Sequence, residues 1–267
     1  MKIGVTGPEG YIATELLKRD DVIPIHANIL HKRALNKEVS NLDIVVHAAA
    51  LVSSKKCRAR SLAALKSNVE GTFSVATACN KNGVRLVYLG TTASYRPDDI
   101  ITERTPIEPT TWYGQTKAWG GKIVRRFAND SLIFRLCHVY GANDRVSNVN
   151  KVIRGSKKGN NANTVRLKAQ ESALKDYLYI DDAVDAIMIA AERKLDGVYN
   201  VSAMRPRSLA QIVDLIGEYV ELPDVEYAGG YMGSHVVTSF KFRAETDWKP
   251  SITLEEGIEK CIDEVRK

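Results

Sequence analysis

The sequence has few cysteines, and their spacing argues against two common uses of that residue. Cys57, Cys79, Cys137 and Cys261 lie far apart, with no C-x-x-C pair and no clustered histidines beside them. A zinc site or a disulfide framework requires closer, patterned ligands. We therefore expect no metal site, and we interpret the four cysteines as small apolar core residues.

Long apolar runs are also missing. The longest uninterrupted stretches, such as AAALV at 48–52, fall far short of the roughly 20 residues that a membrane-spanning helix needs. The first four residues do not show a charged lead followed by an apolar signal core. These absences predict a cytoplasmic protein without a membrane partner.

The densest basic stretch, KVIRGSKKGNN at 151–161, lacks the interleaved aromatic residues that stack on nucleic-acid bases. We interpret it as a solvated loop and expect no nucleic-acid partner. The formal net charge of +6 suits a small anionic ligand such as a nucleotide.

Strand-like apolar runs alternate with helical patterns through the first two thirds of the chain. Strands are expected within 1–7, 22–27, 42–50, 84–92 and 131–141, and the main helices within 13–19, 62–83 and 112–130. This alternation predicts an α/β fold with a Rossmann-type, doubly wound parallel sheet. We interpret residues 29–39 as only a brief connection.

After Gly141 the alternation loosens. Residues 176–195 predict a short strand and a helix capped by Asp181 or Asp182, and residues 197–202 predict another strand.

Two further helices carry clear starting signals. Ser208 is the expected N-cap of a helix within 207–220, and Thr253 and Glu256 have the spacing of a capping box. Because no clean linker separates the parts, we expect a Rossmann-type domain and a small lobe interleaved with it. The domain is expected to comprise residues 1–142 plus about 176–202, and the lobe about 143–175 and 203–267.

The stretch GVTGPEGYIA, residues 4–13, places three small residues at intervals of three directly behind the first strand. Gly7 permits a sharp turn, Gly10 allows a pyrophosphate to approach the backbone, and Ala13 lets the helix pack closely on its strand. The free amides at the helix start attract negative charge. Glycine and proline also mark ordinary turns, so this dinucleotide-site prediction depends on the motifs that follow.

Tyr113 and Lys117 lie four residues apart, which on a helix places both side chains on one face. A nearby ammonium favours the phenolate and lowers the pKa of the phenol, so the two residues form a candidate acid/base pair. Thr91 and Thr92 stand at the carboxyl end of the fourth strand, the edge where such sheets bind ligands. The alternative for the Tyr–Lys spacing is an ordinary surface helix.

Taken in order, these motifs resemble the extended short-chain dehydrogenase/reductase family of sugar-nucleotide epimerases, dehydratases and reductases. The matching segments are TGPEGYIA (6–13), HAAA (47–50), SNVEGT (67–72), YLGTTAS (88–94), YGQTK (113–117), FRLCHVYG (134–141), DYLYIDDAVDAI (176–187) and WKPSITLEEGI (248–258).

The resemblance implies roles for particular residues. Tyr113 would be the acid/base, Lys117 would lower its pKa and hold the nicotinamide ribose, and Thr92 would be the hydroxyl partner, with Thr91 as the alternative. The implied cofactor contacts are Gly7, Gly10, Tyr11, Ile12, Asn28, Ala48, Ala49, Ala50, Asn68, Tyr113 and Lys117. The implied substrate contacts are Thr91, Thr92, His138 and Lys175. Asn68 can instead be a purely structural helix residue, and His138 a polar core residue.

Departures from the family pattern limit what the resemblance implies. No acidic residue ends the second strand, where only His26 and Asn28 are offered, so NADP is allowed and NAD is not excluded. Ala93 and Ser94 follow the catalytic threonine instead of Asp-Glu, which argues against 4,6-dehydration.

The diphosphate-binding arginine of the family corresponds to Lys175, which keeps the charge but loses the bidentate fork. Arg166 and Lys168 are further candidates for that task.

The expected activity is therefore hydride transfer between NAD or NADP and a sugar carbon of a nucleotide-sugar, by a Thr-Tyr-Lys mechanism. One alternative is a 4-keto reductase similar to dTDP-4-dehydrorhamnose reductase, with exchangeable NADPH. An alternative of another class is a regulatory protein that binds NAD(P) without catalysis. The resemblance also implies a homodimer formed through the helix that carries Tyr113.

Overall fold

The computed structural model describes residues 1–156, 164–167, 170–227, 229 and 234–267. The chain divides into two compact units. Unit 1 comprises Met1–Arg96, Glu103–Leu136 and Val184–Asn200, and unit 2 comprises Pro97–Thr102, Cys137–Ala183 and Val201–Lys267. The sequence-based division placed the first boundary at 142 rather than 136 and did not assign residues 97–102 to the lobe. Every helix in the described ranges is too short or too polar to cross a bilayer.

Unit 1 is built on a parallel sheet of six strands. They are β1 (Ile3–Thr6), β2 (Val22–Ile25), β3 (Ile44–His47), β4 (Arg85–Thr91), β6 (Ser131–Leu136) and β10 (Gly197–Val201). Their order in the sheet is β10-β6-β4-β3-β1-β2. The strand order reverses direction from β1, which is the doubly wound arrangement that the β/α alternation predicts. The predicted fold class is therefore confirmed.

Helices accompany this sheet between its strands. They are α1 (Tyr11–Leu16), α2 (Lys32–Val39), α3 (Ser54–Ala59), α4 (Ser61–Leu65), a π-helical segment (Lys66–Gly71), α5 (Thr72–Asn82), a 3₁₀ turn (Thr92–Ser94) and α6 (Trp112–Phe127). The core packs residues of α2, α5 and α6 against the sheet, among them Leu35, Val75, Leu86, Tyr88 and Val124.

Unit 2 contains short paired strands and four helices in the described ranges. The strands are β5 (Asp98–Ile101), β7 (His138–Tyr140), β8 (Val165–Leu167), β9 (Tyr177–Tyr179), β11 (Val225–Tyr227) and β12 (His235–Val237), paired in parallel as β5 with β12, β7 with β9 and β8 with β11. The helices are α7 (Asn148–Ser156), α9 (Leu209–Gly217), α10 (Phe240–Thr246) and α11 (Leu254–Arg266). A further helix, α8 (Ile180–Glu192), contributes residues to both units.

The two predicted helix starts at Ser208 and Thr253 are confirmed. Ser208 accepts a hydrogen bond from the Gln211 backbone and Thr253 accepts one from the Glu256 backbone, and each pair forms a reciprocal capping box. Such boxes satisfy amides that the first helical turn cannot pair internally.

Three local predictions are wrong. Residues 32–39 form helix α2 instead of only a brief connection, and residues 151–156 of the expected basic loop belong to helix α7. Residues 157–163, which include the rest of that stretch, lie outside the described residues. Helix α8 already begins at Ile180, so Asp181 and Asp182 lie in its first turn and do not cap it. Asp182 instead accepts hydrogen bonds from the backbone of Ser251 and Ile252.

Candidate active site

The glycine turn after β1 is shaped by a close approach to the segment after β3. Gly7 has a φ of +67°, and a Cβ added there would lie 2.8 Å from the Cα of Ala49. Gly10 is the exposed N-cap residue of α1, and its amide donates to the Gly7 carbonyl at 2.8 Å. A side chain at position 7 would therefore meet both backbone strain and a steric clash. This cradle fits the pyrophosphate of a dinucleotide.

The implied cofactor contacts next to this turn lie at the start of α1 and after β3. Tyr11 and Ile12 open α1 and are half-buried, and Ala48, Ala49 and Ala50 are half-buried after β3. The Ala49 amide donates to Thr6 Oγ1 at 3.1 Å, which ties the alanine segment to the end of β1.

The end of β2 differs from the sequence expectation in one respect. The backbone amide of His26 donates to the carboxylate of Glu38 at 2.8 Å, so an acidic side chain from α2 does lie at this strand end. Asn28 is exposed, and its side-chain oxygen accepts from the Leu30 amide at 3.0 Å. The carboxylate was missed because it comes from a segment interpreted as a connection.

A buried histidine links β1, β3 and α5. His47 Nδ1 lies 2.7 Å from Thr6 Oγ1, and Nε2 lies 3.1 Å from Thr72 Oγ1. The Thr72 hydroxyl already donates its proton to the Asn68 carbonyl at 2.8 Å, so it can only accept from His47. The proton of the neutral ring therefore sits on Nε2, and Thr6 donates to Nδ1. Burial, with a smaller effect of Lys117, lowers the pKa of His47 to about 3, which keeps the ring neutral.

Asn68 uses its whole side chain within the protein. Its Oδ1 accepts from the Leu51 amide at 2.7 Å, and its Nδ2 donates to the Leu51 carbonyl and to Thr116 Oγ1, both at 3.0 Å. It lies in the π-helical segment, a geometry that recurs at functional sites. The structure thus connects the segment after β3 to α6 through Asn68, and its role as a cofactor contact stays a prediction.

Helix α6 positions the Tyr113 and Lys117 side chains. The helix begins after Thr111, whose hydroxyl accepts from the Gly114 amide at 3.0 Å. The Thr91 side chain, at the end of β4, lowers the pKa of Tyr113 by a polar interaction, whereas Thr92 is 3% exposed and lies in the following 3₁₀ turn. Of the two threonines, Thr91 is the one that the structure brings to Tyr113.

The net pKa of Tyr113 differs from the sequence expectation. Burial raises it to about 12, the polar interaction with Thr91 lowers it, and the charge of a Cys57 thiolate would raise it. Lys117 is not among the groups that shift this pKa, so the predicted lowering by Lys117 does not occur in this state. In this state Tyr113 holds its proton at neutral pH.

Lys117 is buried with 4% of its surface exposed. Burial lowers its pKa to about 7, and Cys57 opposes that change. No ion pair or hydrogen bond of its Nζ occurs in the described part of the chain, and the ammonium lies 4.2 Å from the centre of the Tyr88 ring. Lys117 is thus a cation that is held in the site without a counter-ion among these residues.

Unit 2 contains the two substrate candidates and a histidine that the sequence analysis missed. Lys175 is 5% exposed, exchanges backbone hydrogen bonds with Arg207 and forms a bridge with His235. Burial lowers the pKa of Lys175. Desolvation and the nearby Lys175 and His235 lower the pKa of His138. His138, Lys175 and His235 therefore form a basic cluster.

Of the other two basic candidates, Arg166 does not join that cluster. Arg166 is exposed and pairs with Glu226 at 2.7 Å. Lys168 lies outside the described residues.

Comparison with known proteins gives the family context of this geometry. Residues 5–202 match the family model described as NAD dependent epimerase/dehydratase family. A dTDP-D-glucose 4,6-dehydratase of Mus musculus is 25% identical over 248 residues, which cover 86% of this chain and 69% of that protein.

Solved structures share the fold at low sequence identity. MoeE5 in complex with UDP-glucose and NAD has a TM-score of 0.91 at 22% identity, covering 100% of this chain and 99% of that one. UDP-glucose 4-epimerase of Thermus thermophilus in complex with NAD has a TM-score of 0.87 at 22% identity and the same coverage. RMD of Pseudomonas aeruginosa complexed with NADPH has a TM-score of 0.87 at 18% identity, covering 99% of this chain and 98% of that one.

Proposed function

The chain belongs to the NAD dependent epimerase/dehydratase family, an enzyme family that uses a nicotinamide dinucleotide, and from this premise we propose that it acts on a nucleotide-sugar. The proposed reaction is hydride transfer to or from a sugar carbon, with return of the hydride to the opposite face in an epimerase. The bound dinucleotide would supply or accept the hydride.

One observation carries this proposal. The Tyr113 phenol, whose pKa the Thr91 side chain lowers, shares helix α6 with the buried ammonium of Lys117, and Thr91 lies where β4 ends. A proton donor, a hydroxyl partner and a charge of the sign that favours phenolate are the three groups that alcohol–ketone interconversion needs. Gly7, Gly10 and the alanine segment after β3 would hold the dinucleotide.

The chain's own side chains define the proton movements. Tyr113 holds its proton in the resting site, so it is ready to protonate a developing alkoxide when a ketone is reduced. In the opposite direction Tyr113 receives the proton of the sugar hydroxyl as a phenolate, which the Lys117 ammonium and the Thr91 side chain stabilise. Thr91, rather than Thr92, is our proposed hydroxyl partner.

A carboxylate at the end of β2 supports NAD over NADP in this proposal. Glu38 would repel a 2′-phosphate, although Lys32 and Arg33 begin the same helix and would attract it.

A one-way 4-keto reductase with exchangeable NADPH is the alternative. Protein unfolded after purification should release stoichiometric NAD if it is an epimerase, whereas a reductase should bind NADPH reversibly. The dinucleotide would be identified by mass.

The catalytic roles are tested by matched substitutions. UDP-glucose and UDP-glucuronic acid, each incubated with the protein, would be followed by the anomeric proton signals of the sugar. Tyr113→Phe should lower kcat by about 10²–10⁴-fold while the dinucleotide stays bound. Thr91→Ala should lower kcat more than Thr92→Ala, which removes a hydroxyl of the same type one position along the chain.

Two outcomes would contradict the proposal. Normal turnover by Tyr113→Phe would remove Tyr113 from the chemistry. A folded protein that retains a dinucleotide but converts no sugar nucleotide or keto-sugar would favour the non-catalytic regulator.

We also propose a homodimer formed through α6 and the neighbouring helices. An apolar groove of unit 1 is lined by Leu62, Leu65, Val69, Phe73 and Ile123. Leu62 is 73% exposed and Phe127, at the end of α6, is 40% exposed. A second copy of the same helices would cover these side chains.

A further inference from the structure

Tyr88 lies beneath the catalytic helix, on the central strand β4. It is fully buried and belongs to the core of unit 1. The ring of neutral His47 packs against it at 5.8 Å between centroids, in a tilted arrangement. The Tyr88 ring is therefore held rigidly by the sheet rather than by a loop.

The Tyr88 hydroxyl anchors the ring to the backbone of Lys117. It donates to the main-chain carbonyl of Lys117 at 3.1 Å. Gly120 makes this approach possible, since a Cβ at that position would clash with the Tyr88 hydroxyl and lie 3.0 Å from the Asn68 carbonyl. Strand and helix are thus joined at the turn of α6 that carries Lys117.

The face of the same ring receives the side chain of Lys117. Nζ lies 4.2 Å from the ring centroid, well within the range of a cation–π contact, and the lysine is almost fully buried. Such contacts are strongest where water is excluded. Within the described residues no carboxylate pairs with this ammonium. The negative potential next to the ammonium therefore comes from the face of the Tyr88 ring, because burial removes most of the water around it.

We propose that Tyr88 is a positioning residue: its ring face holds the Lys117 ammonium on the Tyr113 side of α6 and offsets part of the cost of burying the charge. This inference rests on the proposed function of Lys117 and deepens it. Tyr88 itself touches neither substrate nor cofactor in this proposal. It acts by keeping Lys117 charged, which in turn stabilises the Tyr113 phenolate.

The test changes the electrostatics of the ring and leaves its shape nearly constant. Tyr88→Phe keeps the ring face and removes the hydroxyl, and phenylalanine analogues with one, three and five ring fluorines at position 88 progressively cancel the negative face. The titration of Lys117 is followed by NMR of protein labelled at lysine Cε. The Lys117 signal is identified by its absence in Lys117→Arg.

We expect the pKa of Lys117 to stay nearly unchanged in Tyr88→Phe and to fall stepwise with fluorination. With five fluorines it should be lower by about one unit, a tenfold change in the protonation equilibrium. Leu86→Ala removes core volume two residues earlier on β4 but leaves every aromatic ring present, so the pKa of Lys117 should stay unchanged in this control. A pKa that does not depend on fluorination, or that rises with it, would overturn the proposal.

A second readout connects the ring to the reaction. In the sugar-oxidising direction the pH above which kcat declines should move down with the Lys117 pKa, while KM stays constant. Because the NMR titration needs no substrate, it separates the two proposals. If the Lys117 pKa depends on fluorination but the protein shows no turnover, the proposed function is wrong and the role of Tyr88 stands. If the protein shows turnover but the Lys117 pKa does not depend on fluorination, the role of Tyr88 is wrong and the proposed function stands.

Discussion

Lys117 should cost the protein stability at neutral pH, and replacing it with an apolar residue should recover that cost. Its side chain is 4% exposed, and burial lowers its pKa from 10.5 to about 7. We therefore predict that Lys117→Met abolishes turnover but raises the free energy of unfolding at pH 7. Methionine is unbranched and fills the same space with an apolar side chain.

The magnitude follows from proton linkage. The separation of the folded and unfolded pKa values of Lys117, about 3.5 units, corresponds to roughly 5 kcal/mol at 1.36 kcal/mol per unit. At pH 7, where about half of the folded molecules carry the charge, the cost is about 4 kcal/mol. The contact with Tyr88 offsets part of it, so we expect Lys117→Met to be more stable than the wild type by about 2–4 kcal/mol.

The pH dependence distinguishes this effect from ordinary repacking. Because the folded pKa of this cation is depressed, the unfolded chain binds more protons between pH 7 and 10.5, and wild-type stability rises with pH over that window. The advantage of Lys117→Met should therefore be fully present below pH 7 and shrink towards zero near pH 10.5.

Urea unfolding of both proteins at pH 7 and pH 9.5 measures this difference, provided that the m-values agree. Lys122→Met replaces an exposed lysine of the same helix and is the matched control for the substitution itself. A Lys117→Met protein that is less stable than the wild type at pH 7, or a gap that stays constant with pH, would refute the reasoning.

Two further predictions concern the glycine turn and the apolar groove. Gly7→Ala should destabilise unit 1 by about 1–3 kcal/mol, because the new Cβ adds backbone strain and clashes with Ala49, and it should weaken NADH binding in a fluorescence titration. Gly83 is the control: its φ is also positive, at +63°, but open space surrounds it, so Gly83→Ala should leave NADH binding unchanged. Leu62→Glu should convert a dimer into a monomer in sedimentation velocity, while Phe240→Glu, an exposed apolar residue of unit 2, should not; a dimer that persists in Leu62→Glu would exclude the groove as the interface.

The sheet of unit 1 was predictable because its information is local. Each strand is a short apolar run, and parallel strands buried on both faces need no long-range knowledge to be recognised. Helix α2 was missed for a related reason. It buries only Leu35 and Val39, and His31 provides no side-chain cap, so neither the apolar period nor a start signal marks it.

Unit 2 was predictable only in part: the short strand β9 and the helices α9 and α11 were expected, whereas α7 and α10 were not. Its strands are mostly three residues long, too short for an alternating pattern, and they pair with partners far along the chain, as β5 does with β12. The expected strand at 131–141 divides at Cys137, whose amide bonds to the Val201 carbonyl between β6 and β7. Pairing of this kind is decided by tertiary structure rather than by local propensity.

The residues of the candidate site also fall into two groups: those that local spacing identifies and those that only tertiary packing brings together. Tyr113 and Lys117 were found because four residues on a helix is a local spacing with a chemical meaning. Tyr88, Cys57 and His47 were not, because each reaches the site by tertiary packing from another element. The choice between Thr91 and Thr92 also needed the structure, since neighbouring residues at a strand end are equivalent in sequence.

The pKa values of Tyr113 and Lys117 bear on both directions of the proposed reaction. A phenol with a pKa of about 12 is a proton donor at neutral pH, and an ammonium with a pKa of about 7 is half discharged there. Oxidation of an alcohol begins with the phenolate, and reduction of a ketone ends with it, because the phenol gives up its proton to the alkoxide. Both directions pass through the same transition state, in which negative charge on the phenol is partly developed and the Lys117 charge stabilises it. Whatever holds the proton on Lys117, the Tyr88 ring included, should therefore lower the barrier of the proposed reaction in both directions.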